Sequence, residues 1–205
     1  MNWEVQPPLL IRRLHTNRLW RMPADEKKIY LTFDDGPCPG ITDVALDILK
    51  DADVKAAFFC VGENAEKHPA LFERILNEGH AIGNHSYNHL NGWKTDTRSY
   101  IGNVEKCDAI FSSSLFRPPY GKMKPSQSKR LRASGYCIVM WDVLSGDYDT
   151  NLSGEACLQN VLEHTRNGSI IVMHDSEKAK ERMLFVLPRM IEELGKRGFV
   201  FEKLK

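Results

Sequence analysis

Leu31-Thr32-Phe33-Asp34-Asp35-Gly36-Pro37 decides how the rest of the chain is read. An apolar run, Lys28-Ile29-Tyr30-Leu31-Thr32-Phe33, leads straight into two adjacent carboxylates and a Gly-Pro turn. Neighbouring carboxylates repel, so a fold tolerates them only with a cation between or beside them. They stand where a strand ends, which is where α/β folds carry their chemistry. Four more polar clusters follow strand-like runs: His85-Ser86-Tyr87-Asn88-His89, Arg117 with Tyr120, Asp142 with Asp147 and Tyr148, and His174-Asp175.

Outward from this stretch, strand and helix signals alternate. Strands are predicted at 28–33, 55–60, 80–84, 115–116, 136–143, 169–173 and 199–203. Helices are predicted near 41–51, 69–78, 96–112, 125–134, 153–166 and 178–195. The strands are apolar on both faces, as parallel strands covered on both sides must be. Eight full βα units need about 250 residues, more than this chain has. The expected fold is therefore α/β, a distorted parallel (β/α)7 barrel in a single domain. Residues 1–26 are read as an N-terminal extension packing on the barrel and 27–205 as the catalytic domain. A doubly wound sheet is the alternative.

The composition, 42% hydrophobic and 27% charged over 205 residues, is that of a globular protein. A net charge of +1 leaves no electrostatic footprint for nucleic acid. No run of 18 apolar residues exists, so no membrane span is expected. Five cysteines without a Cys-x-x-Cys pair point to reduced thiols, with Cys60 and Cys137 read as core and Cys38 as nearer the surface. Residues 8–22 carry Arg12, Arg13, Arg18 and Arg21 and no acid. Such a segment suits an anionic membrane surface. The favoured reading is instead a cover for the bottom of the core, made by Leu9, Leu10, Leu14, Leu19 and Trp20. The same arginines interrupt any secretory apolar region, so a cytoplasmic location is expected.

His85 and His89 are spaced i, i+4, which on a helical turn puts both imidazoles on one face. With one carboxylate they make a facial site that leaves positions open for water and substrate. Each cluster has a plain structural alternative. Asp34-Asp35 suits a helix N-cap, as does Asp142 or Asp147. Arg117 suits a structural ion pair, His174 a satisfied core histidine, and the histidine pair two surface residues. Five such clusters in one topological position argue for a shared site, because barrel strand ends converge on one rim. A His at the end of an all-apolar strand faces the pocket, and a carboxylate beside it would keep it protonated. From the residues alone, Asp142 and Asp147 are both candidates for that carboxylate.

Taken in order, Thr32-Phe33-Asp34-Asp35-Gly36-Pro37, His85-Ser86-Tyr87-Asn88-His89, Arg117-Pro118-Pro119-Tyr120-Gly121, Asp142-Val143-Leu144-Ser145-Gly146-Asp147-Tyr148 and Ile171-Val172-Met173-His174-Asp175 resemble the five motifs of polysaccharide deacetylases. These are the NodB-like domains of carbohydrate esterase family 4, and the resemblance spans residues 27–203. The fourth motif departs, since the family usually has an Asp-Trp pair where Asp147-Tyr148 stands. The resemblance implies a seven-stranded distorted barrel that hydrolyses N-acetyl groups of acetylamino sugars, in peptidoglycan or chitin-type glycans. The rival readings are an O-acetyl esterase of the xylan type and a non-catalytic carbohydrate-binding protein. Carried over, Asp35, His85 and His89 hold one divalent metal, zinc first, with cobalt, nickel or manganese fitting the same place. Asp34 resembles the catalytic base and Arg117 its partner. Tyr120 would offer its backbone N–H to the oxyanion. His174 resembles the general acid, tuned by Asp147. Val172 and Tyr148 would line the acetyl pocket and the groove. Amide hydrolysis needs those parts: a water made nucleophilic, donors for the oxyanion, and a proton for the departing amine.

Overall fold

A computed structural model of the chain describes residues 5–205; residues 1–4 of the predicted extension lie outside the described residues. β1 (Lys28–Asp34) runs through the middle of the sheet. β2 (Ala57–Cys60), β3 (Ala81–Asn84), β4 (Leu115–Phe116) and β5 (Cys137–Ile138) follow in order on one side. β7 (Ile170–His174) and then β6 (Val143–Leu144) lie on the other. All of these pairs are parallel, and the seven strands form a curled half-barrel. β8 (Val200–Phe201) pairs only with the start of β1.

Period-two alternation sorts the side chains into two layers. Phe33, Phe58, Ile171 and Met173 point outward onto the helices. Phe33 and Phe58 stack there with ring centroids 4.9 Å apart. Each buried phenylalanine contributes about 1.5–3 kcal/mol. Tyr30, Phe59, Leu115, Val139 and Ile170 fill the inside of the curl. The helices follow the strands: α2 (Thr42–Asp51), α3 (Gly62–Lys67), α4 (Pro69–Asn77), α5 (Thr97–Asp108), α6 (Pro125–Ala133), α7 (Gly154–His164) and α8 (Lys180–Lys196), after the short α1 (Leu9–Leu14). α5 and α7 start where Asp96 and Ser153 accept the N–H groups of Ser99 and Ala156. α3 was not predicted. None of the described helices is long and apolar enough to cross a membrane.

The predicted strand 136–143 is two strands. Its first part pairs with β4 and its last part with β7, at opposite edges of the sheet. The break at 139–142 is the seam of the barrel, and open strand edges need hydrogen-bond partners. The N-terminal segment supplies them. Leu19 N–H donates to Ile138 O at 2.8 Å, and Leu19 O accepts from Met140 N at 2.7 Å. Met22 N–H donates to Gly168 O, and Val5 O accepts from Leu144 N, both at 2.9 Å. Trp20 is buried in the cluster of Tyr100, Phe116 and Met140.

Two readings are corrected here. Leu9, Leu10 and Leu14 do not cover the core; they are 68%, 68% and 71% exposed on α1. The segment is held by backbone bonds of Val5, Leu19 and Met22 and by Arg12, and no residue of α1 is buried. Cys137 is exposed rather than core, because β5 is an edge strand. All five cysteines are free thiols.

Candidate active site at the C-terminal rim

Asp34 is the last residue of β1 and faces into the barrel. Its Oδ1 accepts from Arg117 Nη1 at 2.6 Å. Arg117 follows β4 and is fully buried. It also donates to Thr32 Oγ1 (2.8 Å) and Met140 O (3.1 Å), and its guanidinium lies 4.0 Å from the centroid of the Phe59 ring. Every bond fixes the fork in one orientation, with its charge directed at Asp34.

The chain then turns sharply. Asp35 has φ +84°, and the turn is pinned from two sides. Asn64 Nδ2 donates to Asp35 O at 2.8 Å, and Gly36 N–H donates to Asp175 Oδ1 at 3.0 Å. Asp35 Oδ1 thereby sits 3.2 Å from His89 Nε2 and 3.7 Å from His85 Nε2. The ligand atoms of these three residues lie within 4.8 Å of one another. The two histidines are not on a helix, as the spacing predicts; Ser86 (φ +63°) and His89 (φ +59°) fold 85–89 into a loop. Side chains hold that loop: Asn84 Oδ1 accepts from Ser86 N, and Asn103 Oδ1 from Tyr87 N. The rings end 5.0 Å apart.

The donor set fits a divalent metal. Burial lowers the His85 pKa to about 4, so the ring is neutral. Its Nδ1 bonds Arg117 O at 2.8 Å, which as an Nδ1–H donor leaves the Nε2 lone pair facing Asp35. Burial would raise the Asp35 pKa, but the hydrogen bond to His89 and the positive charge of His174 hold it well below the usual carboxylate range. Two imidazole nitrogens and one carboxylate leave coordination positions free.

His174 ends β7, in register with Asp34: the two are Cα partners across the β1–β7 pair. Its Nδ1 lies 2.7 Å from Asp147 Oδ1, and its backbone N–H donates to Asp147 Oδ2 at 2.8 Å. Asp147 is fully buried. Burial works against the His174 charge, yet Asp147 outweighs it and raises the pKa to about 9. Tyr148 meets the His174 ring edge-on at 5.1 Å. Val172 lies two residues below His174 and is buried. Tyr120 (φ +60°) is 59% exposed, its ring 4.5 Å from that of His89. Asp142 is not here. It precedes β6, at the opposite end of the barrel, bound to Arg12, Arg166 and Ser169.

Among the described residues, four of the five non-glycine residues with positive φ are Asp35, Ser86, His89 and Tyr120. Such conformations cost about 1–3 kcal/mol each and collect at functional sites. One supporting residue was missed by sequence reasoning. Asp175 accepts from Gly36 N–H and from Thr42 Oγ1 (2.6 Å), tying the Asp35 turn to α2. Burial raises its pKa to about 8. A Cβ on Gly36 would sit 1.9 Å from Asp175 Oδ2, so that position admits only glycine. The signal was available in the pleat: if His174 faces inward, its neighbour faces the loop behind.

An open cavity of about 280 Å³ beside the triad is lined by Asp35, Val61, Glu63, Asn64, Asn88 and His89. An Asp/His/His triad that could hold a metal ion stands on the barrel rim, flanked by a carboxylate–arginine pair and a histidine–carboxylate pair, the parts of a hydrolase of the α/β class. The chain belongs to the polysaccharide deacetylase family, whose profile matches residues 21–139. It is 36% identical to a peptidoglycan-N-acetylglucosamine deacetylase of Bacillus cereus, over 89% of this chain and 68% of that protein. It is 29% identical to a chitooligosaccharide deacetylase of Azorhizobium caulinodans, over 90% and 96% of the two chains. Among solved structures, a peptidoglycan N-acetylglucosamine deacetylase bound to an N-hydroxybenzamide superposes with a TM-score of 0.89, at 33% identity, over 96% of this chain and 94% of that one.

Proposed function

We propose that this protein is a zinc-dependent deacetylase that hydrolyses the N-acetyl groups of N-acetylglucosamine units in a glycan. The observation that carries the reading is the in-register pair Asp34 and His174, which stand on neighbouring strands beside the triad that begins at Asp35. Asp35, His85 and His89 would hold the metal, which supplies Lewis acidity for the attacking water and the amide carbonyl. Asp34 takes the proton from that water as its oxygen attacks the acetyl carbon. Arg117 keeps Asp34 oriented through the bond from its Nη1 to Asp34 Oδ1. The backbone N–H of Tyr120 donates to the developing oxyanion; one such donor contributes about 2.7–4 kcal/mol. His174 gives its proton to the departing nitrogen, the C–N bond breaks, and acetate and the free amine leave. Val172 shapes the floor under the acetyl methyl, and Tyr148 one wall.

The amide reading is favoured over the ester because His174 is held protonated. An amine leaves only when protonated, whereas an alkoxide needs less help. The test is acetate release from an N-acetylglucosamine oligomer and from acetylated xylan, after chelation and reloading with zinc, cobalt, nickel or manganese in turn. Metal-restored release from the amide substrate is expected. Release from xylan alone would reassign the protein as an esterase, and no release from a folded, metal-loaded protein would reassign it as a binding protein.

A further inference from the structure

Beyond the triad, the rim carries a large aromatic side chain that neither the core nor the reaction uses. Trp93 is 61% exposed. An isolated exposed apolar residue on a mobile loop calls for no explanation, but this loop is tightly framed. Gln127 is fully buried, and its Nε2 donates to Gly92 O (2.9 Å) and Thr95 O (3.2 Å), while its Oε1 accepts from Lys124 N (2.8 Å). Lys124 Nζ donates to Thr95 O at 2.8 Å. Trp93 N–H donates to Asn91 Oδ1 at 3.0 Å. A Cβ on Gly92 would lie 2.5 Å from Lys122 O, so the two loops touch backbone to backbone. Lys122 Nζ rests 5.3 Å from the centroid of the Trp93 ring, on one of its faces.

The place of this assembly is set by the chain. Trp93 is four residues past His89, within about 14 Å of contour. Lys122 is two residues past Tyr120, whose ring touches His89. Both loops leave the C-terminal ends of their strands, the rim where the triad stands. Charge is uneven along that rim. Lys122 lies over the Trp93 ring, Lys94 follows Trp93 in the chain and Lys124 is bonded to Thr95, with Asp96 committed to capping α5. Glu63, which lines the cavity, is paired with Lys67, and Glu66 is bonded to Tyr87.

We propose that Trp93 and Lys122 form an outer saccharide subsite for a carboxylate-bearing sugar neighbouring the unit that is deacetylated. This rests on the deacetylase reading and narrows its substrate to acidic glycans. The open face of the indole carries the C–H face of a pyranose, an apolar contact on an amphipathic ring. The Lys122 ammonium already lies over the other face, so the ring loses little freedom on binding. The lysines supply a positive field to the sugar's carboxylate, which a neutral chitin-type chain lacks.

The experiment is calorimetric binding in zinc-loaded Asp34→Asn protein, so that glycan is not consumed. The probes are a neutral N-acetylglucosamine tetramer and an alternating N-acetylglucosamine–N-acetylmuramic acid tetramer. Trp93→Ala should weaken both by about tenfold, while Trp93→Phe stays within about threefold because stacking survives. Lys122→Gln should weaken the acidic tetramer alone, by about fivefold at low salt. Unchanged binding by Trp93→Ala, a Trp93→Phe loss equal to that of Trp93→Ala, or equal losses on both tetramers in Lys122→Gln would overturn the subsite. Acetate release by the wild-type protein is measured separately. Binding with this pattern but no acetate would keep the subsite and reject the deacetylase reading.

Discussion

Asp147 and Asp142 stand five positions apart, both fully buried, at opposite ends of the barrel wall. Asp147 meets an imidazole, a partner whose proton can leave. Asp142 meets two guanidinium groups and a hydroxyl: Arg12, Arg166 at 2.9 and 3.0 Å, and Ser169 at 2.8 Å. Arginine does not give up its proton. Burial raises the Asp142 pKa, but the bonds from Arg166, Arg12 and Ser169 lower it overall. The same residue type thus makes a proton-transfer pair at one end and a clamp at the other. The difference lies in the partner, since burial is equal.

The sharpest break in this comparison is His174→Ala, which removes the rim pair's proton. Turnover of an N-acetyl glycan should fall about a hundred- to ten-thousandfold, with metal content intact. The loss on an activated aryl acetate should be far smaller, because an aryl oxide leaves unprotonated. Asp34→Asn should fall as far on both substrates. Equal losses on both in His174→Ala would move His174 to the attacking water.

Next in size is Asp142→Asn, which breaks a buried ion pair. It should cost about 3 kcal/mol, a melting-temperature drop of about 6–12 °C for a chain this long. The kcat/KM of the remaining folded protein should match wild type. A loss of turnover without a loss of stability would erase the contrast between the two ends.

The two ends should also fail at opposite ends of the pH scale. His174 has a raised folded pKa, so its contribution to stability is complete below about pH 6.5. It is lost as pH rises through about 9. Asp142 has a lowered folded pKa, so its contribution is present above the unfolded value, about 3.9, and is lost as pH falls through the depressed one. Thermal melts across pH should show an alkaline edge removed by Asp147→Asn and an acid edge removed by Asp142→Asn. Amide turnover should decline above about pH 9, and in Asp147→Asn the decline should begin nearer pH 6.5.

The smallest expected effect comes from the α1 leucines. Leu9→Gln with Leu14→Gln should change stability by no more than about 0.5 kcal/mol, read by chemical denaturation. A larger loss would mean that these side chains support the clamp.

The outline of the barrel was legible because its strands are short apolar runs ending in polar clusters, as at Phe33-Asp34-Asp35 and Met173-His174-Asp175. The triad was legible from residue types, but its local geometry was not. Periodicity puts His85 and His89 on a helix, and the fold uses left-handed turns held by Asn84 and Asn103 instead. Nothing local in Tyr136 to Val143 marks the seam, since each half is apolar enough for a strand and the break depends on which edge each half joins. The exposure of Leu9, Leu10 and Leu14 was hidden for a related reason. An apolar helix predicts burial, and its actual packing depends on anchors far away in sequence. Asp175 and Trp93 escaped because their roles are set by neighbours that only the folded rim brings together.

The clamp at the seam also sets an order of events on the ribosome. Arg12 waits 130 residues for Asp142, and Gln6 waits 158 for the carbonyl of His164. At about 5–20 residues per second, about 6–30 s separate the synthesis of Arg12 and Gln6 from that of these distant partners. The half-barrel from β1 to β5 can assemble in that interval, before β6 and β7 extend the sheet beyond β1. The wall closes only when the segment around Arg12 meets residues made 130 positions later.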